Sequence, residues 1–333
     1  MLRFGAIFCL AVMACSRPSI AFSDLDQEIE QARCTHLVRC RLFPDEASCH
    51  AFMSSAPDPS VGAAIAAHKV DYDGERARQC VDAIANQGCD LTADDVHVSP
   101  VACSEMLTGR VAGGDSCSID VECASGTCTL PESCPDLGCC VGQCRATQDP
   151  SVAGGTCHVA RDCRAGLVCG ADLTCHAPAG EGQACRSDRE CIAGLACVGV
   201  TDMPGTCRTL PRAGERCPYQ RCASENLRCD AGTNTCIVVG LPGDACTTPA
   251  QCSIYTECDP ATHLCRAFPT LGMPCDGTCI DDSFCMLDSS GQNGTCVALL
   301  PTNSPCEGDH ECVSGYCPDG PVFRSCVDRP ACF

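Results

Sequence analysis

The sequence predicts a small disulfide-rich protein: an N-terminal all-α domain pinned by disulfides, then a tandem array of about seven small Cys-rich modules. Three observations support this fold class. Cysteine accounts for 40 of 333 residues, tryptophan is absent, and one four-cysteine pattern recurs along the C-terminal two thirds of the chain. Repeats of this kind are typical of supersecondary units that stack or follow one another. Beyond short β-hairpins, little regular structure is expected in the array.

The N-terminus has the composition of an export signal. Arg3 precedes an apolar run over residues 4–14, which is long enough for a signal-peptide core and too short to cross a bilayer as a helix. Removing Cys9 and Cys15 from the 40 cysteines leaves 38, an even number that 19 disulfides would use. Cysteine at this density is typical of oxidised extracellular scaffolds.

Two cleavage sites are compatible with this leader. Residues 12–15 resemble a bacterial lipobox, in which case 1–14 is a lipoprotein signal and Cys15 becomes the lipidated first residue. Ser19-Ile20-Ala21 is a small-x-small site, which would make 1–21 a signal peptide and release a soluble protein. The expected location is therefore the cell surface or outer membrane, with secretion as the alternative.

Residues 22–109 are predicted to form a helical domain with six cysteines. Ser23 or Asp24 can cap the first helix, and a second short helix is expected over residues 49–53. The apolar positions of the first helix recur at helical spacing: Leu25, Ile29, Leu37 and Val38. Three internal disulfides are expected, with 15 connectivities open, from the cysteines Cys34, Cys40, Cys49, Cys80, Cys89 and Cys103.

Two more helices complete the predicted domain. An Ala-rich segment over residues 61–70 is expected to be the third helix. Asp73 is expected to open the fourth, which continues through Ala77 and Ile84 and stops at Gly88.

The array occupies residues 110–333, and its units align on their cysteines. The first cysteines recur at steps of roughly 30 residues: Cys117, Cys157, Cys185, Cys217, Cys246, Cys275 and Cys306. The second cysteines are Cys123, Cys163, Cys191, Cys222, Cys252, Cys279 and Cys312. The third cysteines are Cys128, Cys169, Cys197, Cys229, Cys258, Cys285 and Cys317. The fourth cysteines are Cys144, Cys175, Cys207, Cys236, Cys265, Cys296 and Cys326.

A glycine or asparagine stands three residues before each first cysteine. These residues are Gly114, Gly154, Gly182, Gly214, Gly243, Gly272 and Asn303. Both types adopt positive φ at low cost, so a left-handed turn is predicted to open every unit. Short Ala, Pro and Gly segments between the units are typical of tight connectors, and they predict a semi-rigid, elongated array.

Disulfides are the expected source of stability in the array. A unit of about 30 residues with few aromatics cannot bury enough apolar surface to fold alone. Structural zinc is disfavoured because the mature chain has no Cys-x-x-Cys spacing. Four additional cysteines leave open a bridge between units or back from the tail: Cys134, Cys139, Cys140 and Cys332.

Acidic residues precede the second cysteine in several units. The recurring Asp-x-Glu pairs are Asp120 and Glu122, Asp188 and Glu190, and Asp309 and Glu311. They could contribute to a calcium site, but two carboxylates are too few for a cation that takes six or more oxygens. Turns closed by the carboxylates onto nearby backbone groups are favoured instead. No metal or cofactor is expected.

The first unit carries a family resemblance. Cys117-Ser-Ile-Asp-Val-Glu-Cys123-Ala-Ser-Gly-Thr-Cys128, followed by Cys134, Cys139-Cys140 and Cys144, resembles the Dickkopf N-terminal cysteine-rich domain and, more loosely, colipase-like and EB-type modules. Residues 185–194 and 306–315 keep its opening half. The colipase-like arrangement implies that the first cysteine of each unit pairs with the third and the second with the fourth. The whole layout also resembles bacterial cell-surface lipoproteins.

The negative net charge and the absence of catalytic motifs disfavour several classes of partner and function. With 22 basic and 42 acidic residues, the chain has a net charge of −20, which disfavours nucleic acid and bare anionic membrane as partners. An enzyme is not predicted, because no nucleophile elbow or phosphate-binding loop occurs. The favoured function is a structural or adhesive array that binds extracellular protein or polysaccharide, with membrane contact only through a lipid anchor. The alternative is a protease inhibitor with residues 130–137 as its bait loop.

Overall fold

The computed structural model describes residues 18–53, 59–89, 101–131, 140–146, 149–158, 162–170, 172–199, 205–275, 277–280, 283–287, 294–315, 317 and 324–327. Within these ranges, 17 disulfides join cysteine pairs, and no helix has both the length and the hydropathy to cross a membrane. Cys15, Cys134, Cys139 and Cys332 lie outside the described residues, whereas Cys140 is disulfide-bonded.

In its described residues, the N-terminal domain contains five α-helices. They are α1 (Leu25–Arg39), α2 (Glu46–Met53), α3 (Pro59–Ala66), α4 (Gly74–Asn86) and α5 (Val101–Glu105). The predicted cap of the fourth helix is confirmed, since the Asp73 carboxylate accepts hydrogen bonds from the N–H groups of Glu75 and Arg76. At the first helix, Asp24 occupies the N-cap position without a side-chain cap bond.

The prediction that the third helix runs to residue 70 is wrong. The helix ends where His68 adopts a left-handed conformation at φ 58°, and the Lys69 N–H bonds back to the Ala64 carbonyl in a Schellman-type cap. The chain then forms β1 (Val70–Tyr72), which pairs antiparallel with β2 (Leu107–Gly109). This two-stranded sheet supplements the predicted all-α domain.

Three disulfides hold the helices of this domain together. Cys34 pairs with Cys49, Cys40 with Cys89, and Cys80 with Cys103, which selects one of the connectivities that the sequence left open. A separate apolar core joins the start of the domain to α1 and α4 through Ile20, Leu25, Ala32, Ala77 and Val81. The apolar core therefore stabilises the N-terminal part of α1, and the disulfides of Cys34 and Cys40 stabilise its C-terminal end.

The array consists of short strands and 3-10 turns. Its strands are β3 (Ser116–Cys117), β4 (Cys128–Thr129), β5 (Gly142–Cys144), β6 (Val168–Cys169), β7 (Cys175–His176), β8 (Ala184–Cys185), β9 (Ala196–Val198), β10 (Gly205–Arg208), β11 (Leu227–Asp230), β12 (Thr235–Val238), β13 (Thr256–Asp259), β14 (Leu264–Ala267), β15 (Pro274–Cys275), β16 (Ser283–Leu287) and β17 (Gly294–Ala298). In the part of the array that the structure describes, the 3-10 turns are Asp120–Glu122, Asp188–Glu190, Pro249–Gln251 and Asp309–Glu311. We number the units 1 to 7 from their opening glycine or asparagine to their fourth cysteine: 114–144, 154–175, 182–207, 214–236, 243–265, 272–296 and 303–326.

Every unit has the cysteine pairing that the colipase-like resemblance implies. In unit 5, for example, Cys246 pairs with Cys258 and Cys252 with Cys265, and the same first-to-third and second-to-fourth order holds in the other six. Most of these cysteines are buried, and the sulfur clusters are the core of the units. The predicted dependence of the fold on disulfides follows from this arrangement.

The predicted left-handed turn opens all seven units. The six glycines have φ between 80° and 94°, and Asn303 has φ 71°. At each of these positions the N–H donates to the carbonyl of the fourth cysteine, for example from Gly243 to Cys265 at 2.8 Å. The turn therefore ties the first residue of each unit to its last cysteine.

The spacing between the third and fourth cysteines divides units 1 to 6 into two classes. Units 2, 4 and 5 have a short spacing and a two-stranded sheet, and the residue two before the fourth cysteine has positive φ: Leu173, Asn234 and His263. Units 1, 3 and 6 have a longer spacing, a three-stranded sheet and glycine at that position. A Cβ on Gly294 would lie 2.6 Å from the Met286 carbonyl oxygen, so the close strand requires glycine there.

Successive units pack against each other. The last hairpin of one unit contacts the 3-10 turn of the next, as β6 contacts Asp188–Glu190, β11 contacts Pro249–Gln251 and β16 contacts Asp309–Glu311. The expectation of an elongated array is nevertheless wrong for units 1 to 5. Unit 1 packs on β2, and Tyr255 of unit 5 joins the aromatic core of the helical domain, so the array turns back on itself.

Candidate functional site

The carboxylates considered as calcium ligands bond to backbone N–H groups. Glu122 accepts from Ser118 at 2.9 Å and Glu190 from Arg186 at 3.1 Å, each four residues earlier. Asp120 accepts from the N–H of Cys128 at 2.7 Å. These bonds close the loop between the first and third cysteines, so the geometry fits the favoured turn interpretation.

Several buried cysteine clusters in the described ranges have the sulfur spacing of a metal centre at first sight. In unit 1, Cys117, Cys123 and Cys144 bring three sulfurs within 4.8 Å of one another. All three sulfurs belong to disulfides, at S–S distances near 2.0 Å. A disulfide sulfur is not the thiolate that zinc binds, so these clusters are packed bridges and not ligand sets.

Two charge pairs connect the first modules of the chain. Lys69 of the helical domain lies 3.1 Å from Glu122 of unit 1, whose side chain is fully buried. Arg145, directly after unit 1, contacts both carboxylate oxygens of Asp162 in unit 2 at 2.7 Å. Both acids stand directly before a second cysteine. The carboxylate at this position therefore accepts a backbone hydrogen bond within its own turn and also forms the ion pair that connects two modules.

Unit 4 reverses this charge pattern. Arg221 stands before its second cysteine, where five of the other units have an acid or glutamine and unit 6 has Thr278. It makes a bidentate pair with Asp188 of unit 3 at 3.0 and 2.7 Å. The hydrogen bonds that Arg221 donates to Asp188 raise the pKa of the Arg221 guanidinium. An apolar cluster of Ala196, Val198, Leu210 and Ala223 covers the same joint. Units 3 and 4 are therefore joined by both charge and apolar packing.

An aromatic contact joins unit 5 to the helical domain. Tyr255 stacks on Phe43 with ring centroids 3.9 Å apart and an interplanar angle of 13°, and both residues are 1% exposed. Phe52 lies edge-on to the Tyr255 ring, and Val239 of the connector completes the cluster with Cys34, Cys40 and Cys49. Stacked and edge-on ring pairs contribute beyond their buried area.

A polar contact beside this cluster joins unit 4 to the same domain. His36 Nε2 lies 3.1 Å from the Glu225 carboxylate, and Nδ1 lies 3.0 Å from the Gln87 carbonyl oxygen. The Cys89 carbonyl accepts hydrogen bonds from the Ser224 hydroxyl at 2.6 Å and from the Glu225 N–H at 3.1 Å. We call the combined contact the clasp, formed by His36, Phe43, Phe52, Cys89, Ser224, Glu225, Val239 and Tyr255.

The outer surface of the array differs from unit to unit. Within the described residues, large apolar side chains at least 41% exposed are Leu130, Val141, Val152, Leu173, Ile192, Tyr219, Val238, Ile254, Leu264, Leu271, Met273, Met286, Leu287 and Val313. The predicted bait loop begins at Leu130, but residues 132–139 lie outside the described part of the chain. The constant scaffold thus presents a variable surface, which is the candidate binding site.

No recurring sequence pattern predicts the clasp. The feature that could have indicated it is the rarity of aromatic residues. Aromatics are 4% of the chain, and Tyr255 stands in a unit whose own core is made of disulfides. No family model, no curated protein and no solved structure matches the chain. The Dickkopf-like and lipoprotein-like resemblances therefore stay predictions, and the candidate function depends on the geometry above.

Proposed function

We propose that the protein is exported, held at the cell surface by a lipid on Cys15, and acts there as a disulfide-locked array that binds protein or polysaccharide. Export is supported by the 17 disulfides of the described residues, which need an oxidising compartment to form and persist. The observation that carries the anchored form is the position of Ile20.

Ile20 belongs to the core of the helical domain. Its side chain is 5% exposed, its N–H donates to the Gly74 carbonyl at 3.1 Å, and its own carbonyl accepts from the Tyr72 hydroxyl at 3.1 Å. Cleavage after Ala21 would remove all of these contacts, whereas cleavage before Cys15 keeps them. The packing of Ile20 supports lipobox processing, and it leaves a short tether between the lipid and the folded domain.

The chain purified from its native envelope should begin at an acylated Cys15. A version that starts at Phe22 should be less stable than one that starts at Ser16 by about 2–5 kcal/mol, the range for loss of a buried Ile side chain. N-terminal peptide masses and thermal unfolding of the two truncated forms measure these quantities. A native N-terminus at Phe22, together with equal stability of the two forms, would contradict the anchored form.

The binding role is supported by the division between scaffold and surface. The disulfides fix the backbone of each unit, and exposed apolar side chains are placed on that rigid framework, which lowers the entropy cost of binding. Several units in one chain can add weak contacts into one strong attachment. The inhibitor alternative is favoured by the same rigidity, with the loop that begins at Leu130 as its candidate segment.

Saturable binding to intact cells tests the array role. The labelled chain starting at Ser16 should bind cells or their surface polysaccharide, and the same chain after reduction and alkylation should not, because its units lose their backbone constraint. Titration by flow cytometry measures both forms. Equal binding of the alkylated chain would exclude a role for the folded units, and stoichiometric inhibition of a protease without cell binding would favour the inhibitor.

A further inference from the structure

The opening loop of unit 4, residues 212–221, is a basic segment in an acidic array. It contains three arginines and one glutamate, which gives a net charge of +2, whereas the whole chain has a net charge of −20. Counted from the opening glycine or asparagine to the residue before the second cysteine, the sequence is positive in unit 4 and neutral or negative in the other six units. Unit 4 therefore differs from the rest of the array in the sign of its local charge.

Two of these arginines are available to a ligand. Arg212 and Arg216 are exposed, and no ion pair among the described residues includes either of them. Arg221, by contrast, takes part in the joint with unit 3. The Glu215 carboxylate accepts a hydrogen bond from the Arg212 N–H at 2.7 Å, so the one acid of the loop closes a turn of its own backbone.

An exposed tyrosine lies in the same loop. Tyr219 is 48% exposed, and it is the only Phe, Tyr or Trp between the first and second cysteines of any unit. It belongs to a tight turn in which the Gln220 N–H donates to the Cys217 carbonyl at 3.0 Å. Across residues 208–236, all of which the structure describes, Tyr219 is the only exposed large apolar side chain. The exposed ring therefore belongs to no apolar cluster of unit 4.

The scaffold of unit 4 holds this loop in place. The Gly214 N–H donates to the Cys236 carbonyl at 2.8 Å, which ties the start of the loop to the last cysteine of the unit. Cys217 lies within the loop and Cys222 directly follows it, and both are disulfide-bonded. Because the loop is ordered before a ligand arrives, less conformational entropy is lost on binding.

A single exposed ring beside unpaired arginines fits an acidic sugar. The electron-rich face of an aromatic ring attracts the polarised C–H groups on the flat side of a pyranose. Guanidinium groups bind carboxylates through two parallel hydrogen bonds, and a uronic acid carries one carboxylate on each sugar ring. A protein interface instead surrounds its aromatic anchor with further apolar contacts, which residues 208–236 do not supply around Tyr219.

We infer that the loop 212–221 of unit 4 binds acidic sugar residues of an anionic polysaccharide, with Tyr219 stacked on the sugar ring and Arg212 and Arg216 bound to the carboxylates. This inference rests on the proposed binding function and names the ligand class for one unit. The net charge of −20 disfavours contact with a polyanion along the whole array. At physiological ionic strength, however, charges more than about 8 Å away are largely screened, so the local charge of the loop decides whether it binds.

Soluble polygalacturonate is the probe. The full oxidised chain should bind it, with an affinity that falls as salt is raised above physiological ionic strength. Tyr219→Ala should weaken binding by roughly tenfold or more, whereas Tyr219→Phe keeps the ring and should bind like the unaltered chain. The double variant Arg212→Gln and Arg216→Gln should also weaken binding by roughly tenfold, because the charge-assisted hydrogen bonds are lost. Isothermal titration calorimetry measures each affinity.

Matched controls separate the loop from the rest of the array. Arg164→Gln combined with Arg186→Gln makes the same change of charge on exposed arginines of units 2 and 3. Ile254→Ala removes a side chain that is 47% exposed in unit 5. Both control variants should bind polygalacturonate like the unaltered chain. Polyglutamate carries carboxylates without a sugar ring, and dextran carries sugar rings without carboxylates, so neither should bind with comparable affinity.

Several results would overturn the inference. They are no binding of polygalacturonate, full affinity in the Tyr219→Ala variant, and a loss of affinity in the control variants as large as in the loop variants. Equal binding of polyglutamate would assign the loop to an acidic protein segment instead, and equal binding of dextran would exclude a role for the arginines. Saturable cell binding without polygalacturonate binding would refute this site while the proposed function stands. The reverse result would contradict the proposed function and support the site.

Discussion

Replacing Tyr255 with alanine should open the clasp and expand the protein while every unit stays folded. Tyr255 is 1% exposed and stacks on Phe43, so its removal leaves a large cavity between two modules that are each stabilised by their own disulfides. Loss of a buried aromatic side chain costs about 3–5 kcal/mol, a large share of the stability of a contact between modules. Small-angle scattering should show a larger radius of gyration, and the disulfide content should be unchanged.

Tyr255→Phe is the matched control. The Tyr255 hydroxyl is buried and has no hydrogen-bond partner among the described residues, so its removal leaves no buried polar group unpaired. The phenylalanine variant should stay closed and be at least as stable as the unaltered chain. If the alanine variant kept the closed dimensions, the aromatic stack would not be what holds unit 5 on the helical domain.

Alkaline pH should open the same contact. Burial raises the pKa of Tyr255 to about 12, above its ordinary value of 10.0. Because the folded-state pKa is the higher one, the stabilising effect is fully present below pH 10 and is lost as pH rises towards 12. Scattering should report expansion that sets in as pH rises through that interval, and the Tyr255→Phe variant should remain closed there.

Removing the Cys222–Cys236 disulfide should unfold unit 4 and release both of its joints. This bridge closes a loop with a sequence separation of 14, which is worth about 3 kcal/mol in the chain-entropy model. Unit 4 has little apolar core to compensate. Arg221 would lose its position opposite Asp188, and Glu225 would lose its position opposite His36. Hydrogen exchange should rise in unit 4, and scattering should show expansion.

Unit 7 offers a control with the same loop length. Its Cys312–Cys326 disulfide also has a sequence separation of 14, but none of its described residues takes part in the clasp. Replacing these two cysteines should unfold unit 7 and leave the dimensions of units 1 to 5 unchanged. Equal expansion in both double variants would mean that unit 4 has no special place in the closed arrangement.

The features that could be predicted from the sequence are those that repeat. Four cysteines and one glycine or asparagine recur in register. Because every unit meets the same stereochemical demands, the opening turn follows from any single copy. Local signals also sufficed for the Asp73 cap. The end of α3 was missed because His68 and the β1–β2 pairing override the helical propensity of the Ala-rich segment.

The clasp could not be predicted because it occurs once and joins distant parts of the chain. His36 and Glu225 are 189 positions apart, and neither stands in a recurring pattern. Which units meet the helical domain depends on small rotations at successive joints, including the reversed charge pair at Arg221. The repeat pattern predicts the structure of a single unit, but it does not predict how the seven units are arranged relative to one another.

The closed arrangement changes how a pulling force would travel. A load applied between the N-terminal segment at Pro18 and unit 6 would pass through the helical domain, the clasp and unit 5. Units 1, 2 and 3 lie outside this load path, so they would carry little tension while the clasp stays closed. Once it ruptured, at a rate governed by its own unlocking barrier, those units would extend in series. Rupture of the clasp under load would thus release the additional length of these units.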